Sequence, residues 1–377
     1  MKLRSTLPSL LILITVLFLS ACKSSEYGFS KKDVEKSQKL IGIDVEGEYL
    51  NNMYNYLGRN RAGYDTMRKY ATNNETFPAL TFDPHPAGFE YPEVRTPNNQ
   101  WTIPSTTILP SSDEEIAFLS ILELADLLKS RKLTSERLTQ IYLDRIKKFD
   151  GQLQSVITIT ESLALKQARQ ADREIAAGNY KGILHGIPYG VKDLMSVADY
   201  PTTWGAAPYK DQVFDYTATV VKTLEAKGAV LIAKLVSGSL ARGDVWFGGK
   251  TKNPWDLKQG ASGSSAGPGS ATAAGLVAFS LGTETLGSIT SPSTRNGITG
   301  LRPTYGRISR HGTMSLSWSM DKVGPLGRNA EDCAIVFDAI QGKDKNVVVP
   351  KVLNETSLDH YLLTDNTKFK NSMWGVP

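Results

Sequence analysis

Residues 260–288, GASGSSAGPGSATAAGLVAFSLGTETLGS, constrain this chain more than any other stretch. Two clusters of small residues, Gly260 to Ser270 and Gly282 to Ser288, flank an alanine-rich segment. Glycine permits left-handed backbone angles and close approach of amides. Serines held between such glycines can stand on tight turns, where backbone N–H groups gather around a developing negative charge. A solvated Gly/Ser linker would be polar throughout. Here Leu276, Val277, Phe279 and Leu281 make the middle apolar, so the segment belongs in a core.

Helix and strand patterns alternate around that block. Ser112 is suited to cap a helix, with Glu115 at the third position and apolar residues at Ile116, Leu119, Leu122, Ala125 and Leu127. A second helix starts at Thr134 or Ser135 and runs to about Lys148; Ser155 to Thr160 has strand character. Glu161 to Ala177 reads as a third helix closed by Gly178. The run GIPYGVKD at 186–193 is short and apolar and leads into a lysine. Ala218 to Lys227 is helical, Gly228 stops it, and Ala229 to Leu235 is a buried-type strand. This alternation predicts an α/β body with a covered sheet. With 377 residues, 41% hydrophobic and 21% charged, the chain can bury a large core.

A serine nucleophile needs a base, and there are four histidines. His85 sits in a Pro/Asn/Thr-rich connector and His360 in a polar tail, while His185 and His311 lie in Gly-bounded turns that favour structural roles. Lysine serves instead when burial brings its pKa toward neutrality. Lys192, reached through the apolar IPYGV, is placed for that.

Several collinear segments resemble the amidase signature family, whose members cleave amide bonds with a lysine, a cis-peptide serine and a nucleophilic serine. LHGIPYGVKDL matches the family's lysine segment, GSSAGPGS its Gly-Ser-Ser segment, and GTETLGSI its nucleophile segment. TKNPWD (251–256) and GLRPTYGRISRHG (300–312) also follow the family, and the similarity spans 112–342. The resemblance implies a mixed twisted β-sheet covered by helices on both faces. It assigns the base to Lys192, the bridging serine to Ser264 and the attacking oxygen to Ser288. Backbone N–H groups around Thr285, Leu286, Gly287 and Ser288 would bind the oxyanion. The implied reaction is hydrolysis of a linear carboxylic amide through an acyl-enzyme, with a small-molecule amide as substrate and without metal or organic cofactor.

Three positions depart from the family pattern. Leu286 replaces one of two glycines before the nucleophile, Thr290 replaces an arginine, and Glu284 stands where an aspartate is expected. A side chain at Leu286 narrows the loop's freedom or fills part of the acyl pocket, and Ala241 is a second candidate pocket residue. Residues 343–377 do not align with the family, whose members continue further, so the chain reads as a C-terminally truncated amidase fold followed by an atypical tail. Two rival readings stay open. One is an amidase-fold protein that binds ligand or partner without turnover. The other is a transamidating protein of the glutamine amidotransferase type, which hydrolyses glutamine and passes ammonia to a charged tRNA. Export argues against the second, whose tRNA substrate is cytoplasmic.

Export is itself an expectation from the N-terminus. Lys2 and Arg4 precede an apolar run from Leu10 to Leu19, then Ser20 and Ala21 lead to Cys22. That is the layout of a secretory signal peptide over residues 1–21. The ending LSAC resembles a bacterial lipobox, which implies lipidation of Cys22 and anchoring of the exported protein to a membrane of the cell envelope. Residues 22–111 read as an extension, helical near Tyr49 to Met67 and extended after 71, where Phe89, Tyr91 and Trp101 are costly to leave exposed. The only other cysteine, Cys333, reads as a packing residue.

The net charge is +5, with no basic stripe of the nucleic-acid type. No Cys/His cluster has zinc spacing. FGGKT at 247–251 is no phosphate loop, because Asp244 occupies the position that motif requires as glycine. Oligomeric state and the identity of the amide are not legible.

Overall fold

A computed structural model describes residues 27–70, 101–342 and 344. The expected signal peptide, Cys22, His85, Phe89, Tyr91 and His360 fall outside those residues. Two compact units are present, one within residues 1–72 and one within 73–377.

In the first unit, helix α1 (Lys31–Ile41) begins at Ser30, which forms a capping box with Asp33. Helix α2 (Gly47–Met67) follows. A small core of Val34, Leu50 and Tyr54 holds them together, with the rings of Tyr27 and Phe29 edge-on to Tyr54 at 5.3 and 5.4 Å.

The second unit opens with α3 (Asp113–Ala117) and α4 (Ile121–Lys129), where the sequence predicts one helix. Ser112 caps the first as expected. Ser120 then forms its own capping box with Glu123 and starts a second helix, so Leu119 lies in the break. The Asp332 carboxylate accepts the freed Ile121 N–H at 2.8 Å, fixing the new start from 211 residues away. Helix α5 (Ser135–Leu153) is capped by Thr134 and runs past Lys148. Its last turn is held by Asp150, which accepts hydrogen bonds from Ser155 and Val156. Strand β1 (Val156–Ile159) and helix α6 (Glu161–Ala176) come next. Trp101 and Ile103 pack against this unit's core, and Thr107 N–H donates to Asp126. The end of the connector therefore belongs to the body.

Strand β2 (Pro188–Lys192), helix α7 (Thr219–Ala226) and strand β3 (Val230–Leu235) build the sheet centre. Two short hairpins follow, β4 (Val245–Trp246) with β5 (Gly249–Lys250) and β6 (Lys252–Asn253) with β7 (Asp256–Gly260). The small-residue block folds as α8 (Ala266–Ala273), then β8 (Phe279–Glu284). Helix α9 (Thr290–Asn296), β9 (Thr299–Gly300), β10 (Lys322–Gly327) and α10 (Ala330–Ile340) complete the described unit.

The six-stranded sheet has the order β1-β3-β2-β8-β10-β9. Strands β3, β2 and β8 are parallel neighbours, while β1, β10 and β9 pair antiparallel. Every residue of β2, β3, β8 and β10 is buried, so helices must cover both faces, as in parallel sheets generally. This is the mixed α/β sheet that the sequence predicts. Two lysines, Lys192 and Lys234, lie wholly inside it.

Candidate active site

Lys192 ends β2 and Glu284 ends β8, so these parallel neighbours finish on one side of the sheet. Carboxyl ends of such strands are where α/β folds gather chemistry. The Lys192 ammonium position is fully buried, 2.7 Å from Ser264 Oγ and 2.9 Å from Thr283 Oγ1. Burial pushes its pKa down to about 7, against the opposing pull of the Asp321 and Glu284 carboxylates.

Lys234, on the adjacent strand, is the second buried lysine and has a different set of partners. Its Nζ sits 2.7 Å from Asp193 Oδ1 and donates to Thr202 Oγ1 and Pro201 O. The other Asp193 oxygen accepts from Thr203 N–H and Oγ–H. Lys192 contacts hydroxyls where Lys234 contacts a carboxylate. Burial pushes the Lys234 pKa below its ordinary value too, with the Asp193 carboxylate pulling the other way.

Ser264 follows a cis peptide bond from Gly263. A side chain at Gly263 would strike the Gly243 carbonyl, with Cβ only 1.8 Å from that oxygen, so this approach admits glycine alone. The Ser264 carbonyl accepts from Gly238 N–H. Ser265 then anchors to β8 through Thr283, both as donor and as acceptor.

Ser288 lies on the turn between β8 and α9, with Gly287 at φ 86°. Ser265 N–H donates to the Ser288 carbonyl at 3.1 Å, tying the two serine segments together. Glu284 braces the turn from inside: its Oε2 accepts from Ile289 N–H, Thr290 N–H and Thr290 Oγ–H. Burial acts to raise the Glu284 pKa, but these bonds outweigh it and hold the carboxyl below its ordinary value. Two of the departures from the family pattern, Glu284 and Thr290, thus contact each other. The third, Leu286, is 85% exposed. Ala241 is buried in a tight turn at positive φ.

The structure therefore brings Lys192, Ser264 and the Ser288 turn into one cluster. It also adds residues that no sequence pattern singles out. Thr283 is the second partner of Lys192. Asp321 accepts from Thr285 Oγ–H at 2.5 Å, and Lys322 donates to the Thr285 carbonyl. Local sequence around Asp321 carries no sign of this, because the contact exists only through β8–β10 pairing. His185 is buried between Lys181 N–H and Glu174, and His311 contacts Thr219 and Tyr216. Both histidines are built into turns as expected. Cys333 is buried, its thiol pushed up to about 12 by that burial. Among the described residues no group of His, Cys, Asp and Glu is placed to hold a metal ion.

Fold and cluster define an α/β protein with a buried lysine–serine site at the strand ends. The chain belongs to the Amidase family, whose model matches residues 137–370 and so extends beyond Gly342. It is 44% identical over 241 residues to the putative amidase AmiD of Mycobacterium tuberculosis, covering 63% of this chain and 51% of that protein. It is 40% identical over 235 residues to a glutamyl-tRNA(Gln) amidotransferase subunit of Moorella thermoacetica, covering 61% and 48%. The native peptide amidase of Stenotrophomonas maltophilia superposes with a TM-score of 0.58 at 36% identity, covering 62% of this chain and 51% of that one. The chain spans about half the length of the curated relatives it matches.

Proposed function

We propose that this protein hydrolyses a linear carboxylic amide through a serine acyl-enzyme. Lys192 is the base, Ser264 the relay and Ser288 the nucleophile. The observation that carries this reading is the 2.7 Å contact between Lys192 and Ser264 in a fully buried setting. In its neutral form the lysine has one lone pair. It takes the Ser264 proton while Ser264 takes that of Ser288, whose oxygen attacks the carbonyl carbon. Amides of the 285–288 turn would bind the growing oxyanion, and the Gly287 amide is engaged by Glu284. Collapse of the tetrahedral intermediate returns the proton along the same path to the leaving nitrogen, and water then releases the acid.

Fluorophosphonate treatment of the chain starting at Lys23, read by peptide mass spectrometry, tests the assignment. Modification is expected at Ser288 and is expected to vanish in Lys192→Ala. A folded chain left unmodified would favour binding without turnover. Similarity to the glutamyl-tRNA(Gln) amidotransferase chain supports a second reading. Glutamine hydrolysis by the pure protein, with no turnover of simple linear amides, would put it first.

The N-terminal layout supports export and lipid anchoring at Cys22. Among the described residues no helix is long and apolar enough to cross a membrane. Palmitate labelling that persists in Cys22→Ala would remove the lipoprotein assignment.

A further inference from the structure

We infer that Asp321 is a positioning residue of this site, holding the nucleophile turn in register and setting the charge balance around Lys192. The inference rests on the serine–lysine reading above. Asp321 immediately precedes β10 and is 7% exposed. One carboxylate oxygen accepts from Thr285 Oγ–H at 2.5 Å; the other accepts from Leu316 N–H at 2.6 Å. Lys322, the next residue, donates to the Thr285 carbonyl at 3.1 Å. Thr285 is thus gripped at side chain and carbonyl by two consecutive residues, three positions before Ser288.

The same strand pair carries the link to the base. Val323 pairs with Thr283, and Thr283 is the second contact of Lys192. Charged groups on the elements around Lys192 are few. Glu284 on β8 is engaged by the turn amides and lies 3.7 Å from Arg302. Lys322 on β10 is directed at Thr285. Asp193, next to the base just past β2, and Lys234 on β3 neutralise each other. Asp321 bonds only to neutral groups of the turn; its charge and that of Glu284 both favour a protonated Lys192, and Lys322 lies in the field of both.

Fluorophosphonate labelling rates across pH separate the two duties. Wild type is expected to label Ser288 with a midpoint near 7. Asp321→Asn removes the charge, and its one oxygen can still accept from Leu316 N–H while its amide N–H donates to the Thr285 hydroxyl oxygen, so Lys192 loses its proton more readily. Its midpoint is expected to move toward acid, the direction set by losing an opposite charge. Thr285→Val keeps the charge and breaks the grip. Its plateau rate is expected to fall about tenfold or more, the size of a small misplacement of reacting groups, at unchanged midpoint. A wild-type chain that does not label at Ser288 sinks the catalytic reading itself. A labelled wild type with an unmoved midpoint in folded Asp321→Asn, or an undiminished rate in Thr285→Val, overturns this inference alone. Should Asp321→Asn not fold, the Thr285→Val rate decides.

Discussion

Among single residues, the contrast between Lys192 and Lys234 is the most informative. Both are wholly buried, yet only Lys234 has a carboxylate in contact. Lys192 titrates at about 7 in the fold, below its ordinary 10.5. Between those pH values the unfolded chain holds the extra proton, so stability rises with pH across that window. Below about 7 the full cost of the buried ammonium is present. Lys192→Met should therefore abolish labelling of Ser288 and remove that rise, leaving the variant more stable than wild type at pH 6. Urea denaturation at pH 6 and pH 9 checks it. Amidase activity should in turn rise through a midpoint near 7 as Lys192 becomes neutral.

Among the elements, the β8–α9 turn is the unit that matters. Glu284 takes up Ile289 N–H, Thr290 N–H and Thr290 Oγ–H in one bracing contact. Glu284→Ala leaves these donors, and the Gly287 amide, without that acceptor and is expected to cost about 2 kcal/mol or more. It should also slow labelling of Ser288 more than stability loss alone accounts for, which denaturation and labelling on one preparation will show. In the sequence, Glu284 and Thr290 stand as separate departures from the family pattern. Their pairing needs a turn that places residues six apart side by side. The break between α3 and α4 has a similar cause. Apolar spacing continues through Leu119, but the Ser120–Glu123 capping box and Asp332 decide where the second helix starts.

Across the molecule, the Asp193–Lys234 pair joins β2, β3 and the loop through Thr202 and Thr203. Removing one member of a buried pair strands the other charge. Asp193→Asn is expected to destabilise the protein by about 3–5 kcal/mol. The double variant Asp193→Asn/Lys234→Met should recover much of that, because no unpaired ammonium then remains. Thermal melts of the three proteins compare them directly. The described body carries the lysine and both serine segments, although the chain spans about half the length of its curated relatives.

Local patterns in the chain already specify the α/β class, the residues from which the site is built and the family. Helix caps, apolar strands, and small residues where backbone must approach backbone, as at Gly263, are all readable without coordinates. The distribution of charge and hydrogen bonds among those residues is not, and came from the folded arrangement alone. Nothing in the sequence near Lys192 says that, beside the expected Ser264, it meets Thr283 rather than a carboxylate. Nor does it say that Asp321 reaches across a strand pair to Thr285. Strand pairing sets such contacts between residues tens of positions apart, and burial gives them their strength by excluding the water that would screen them.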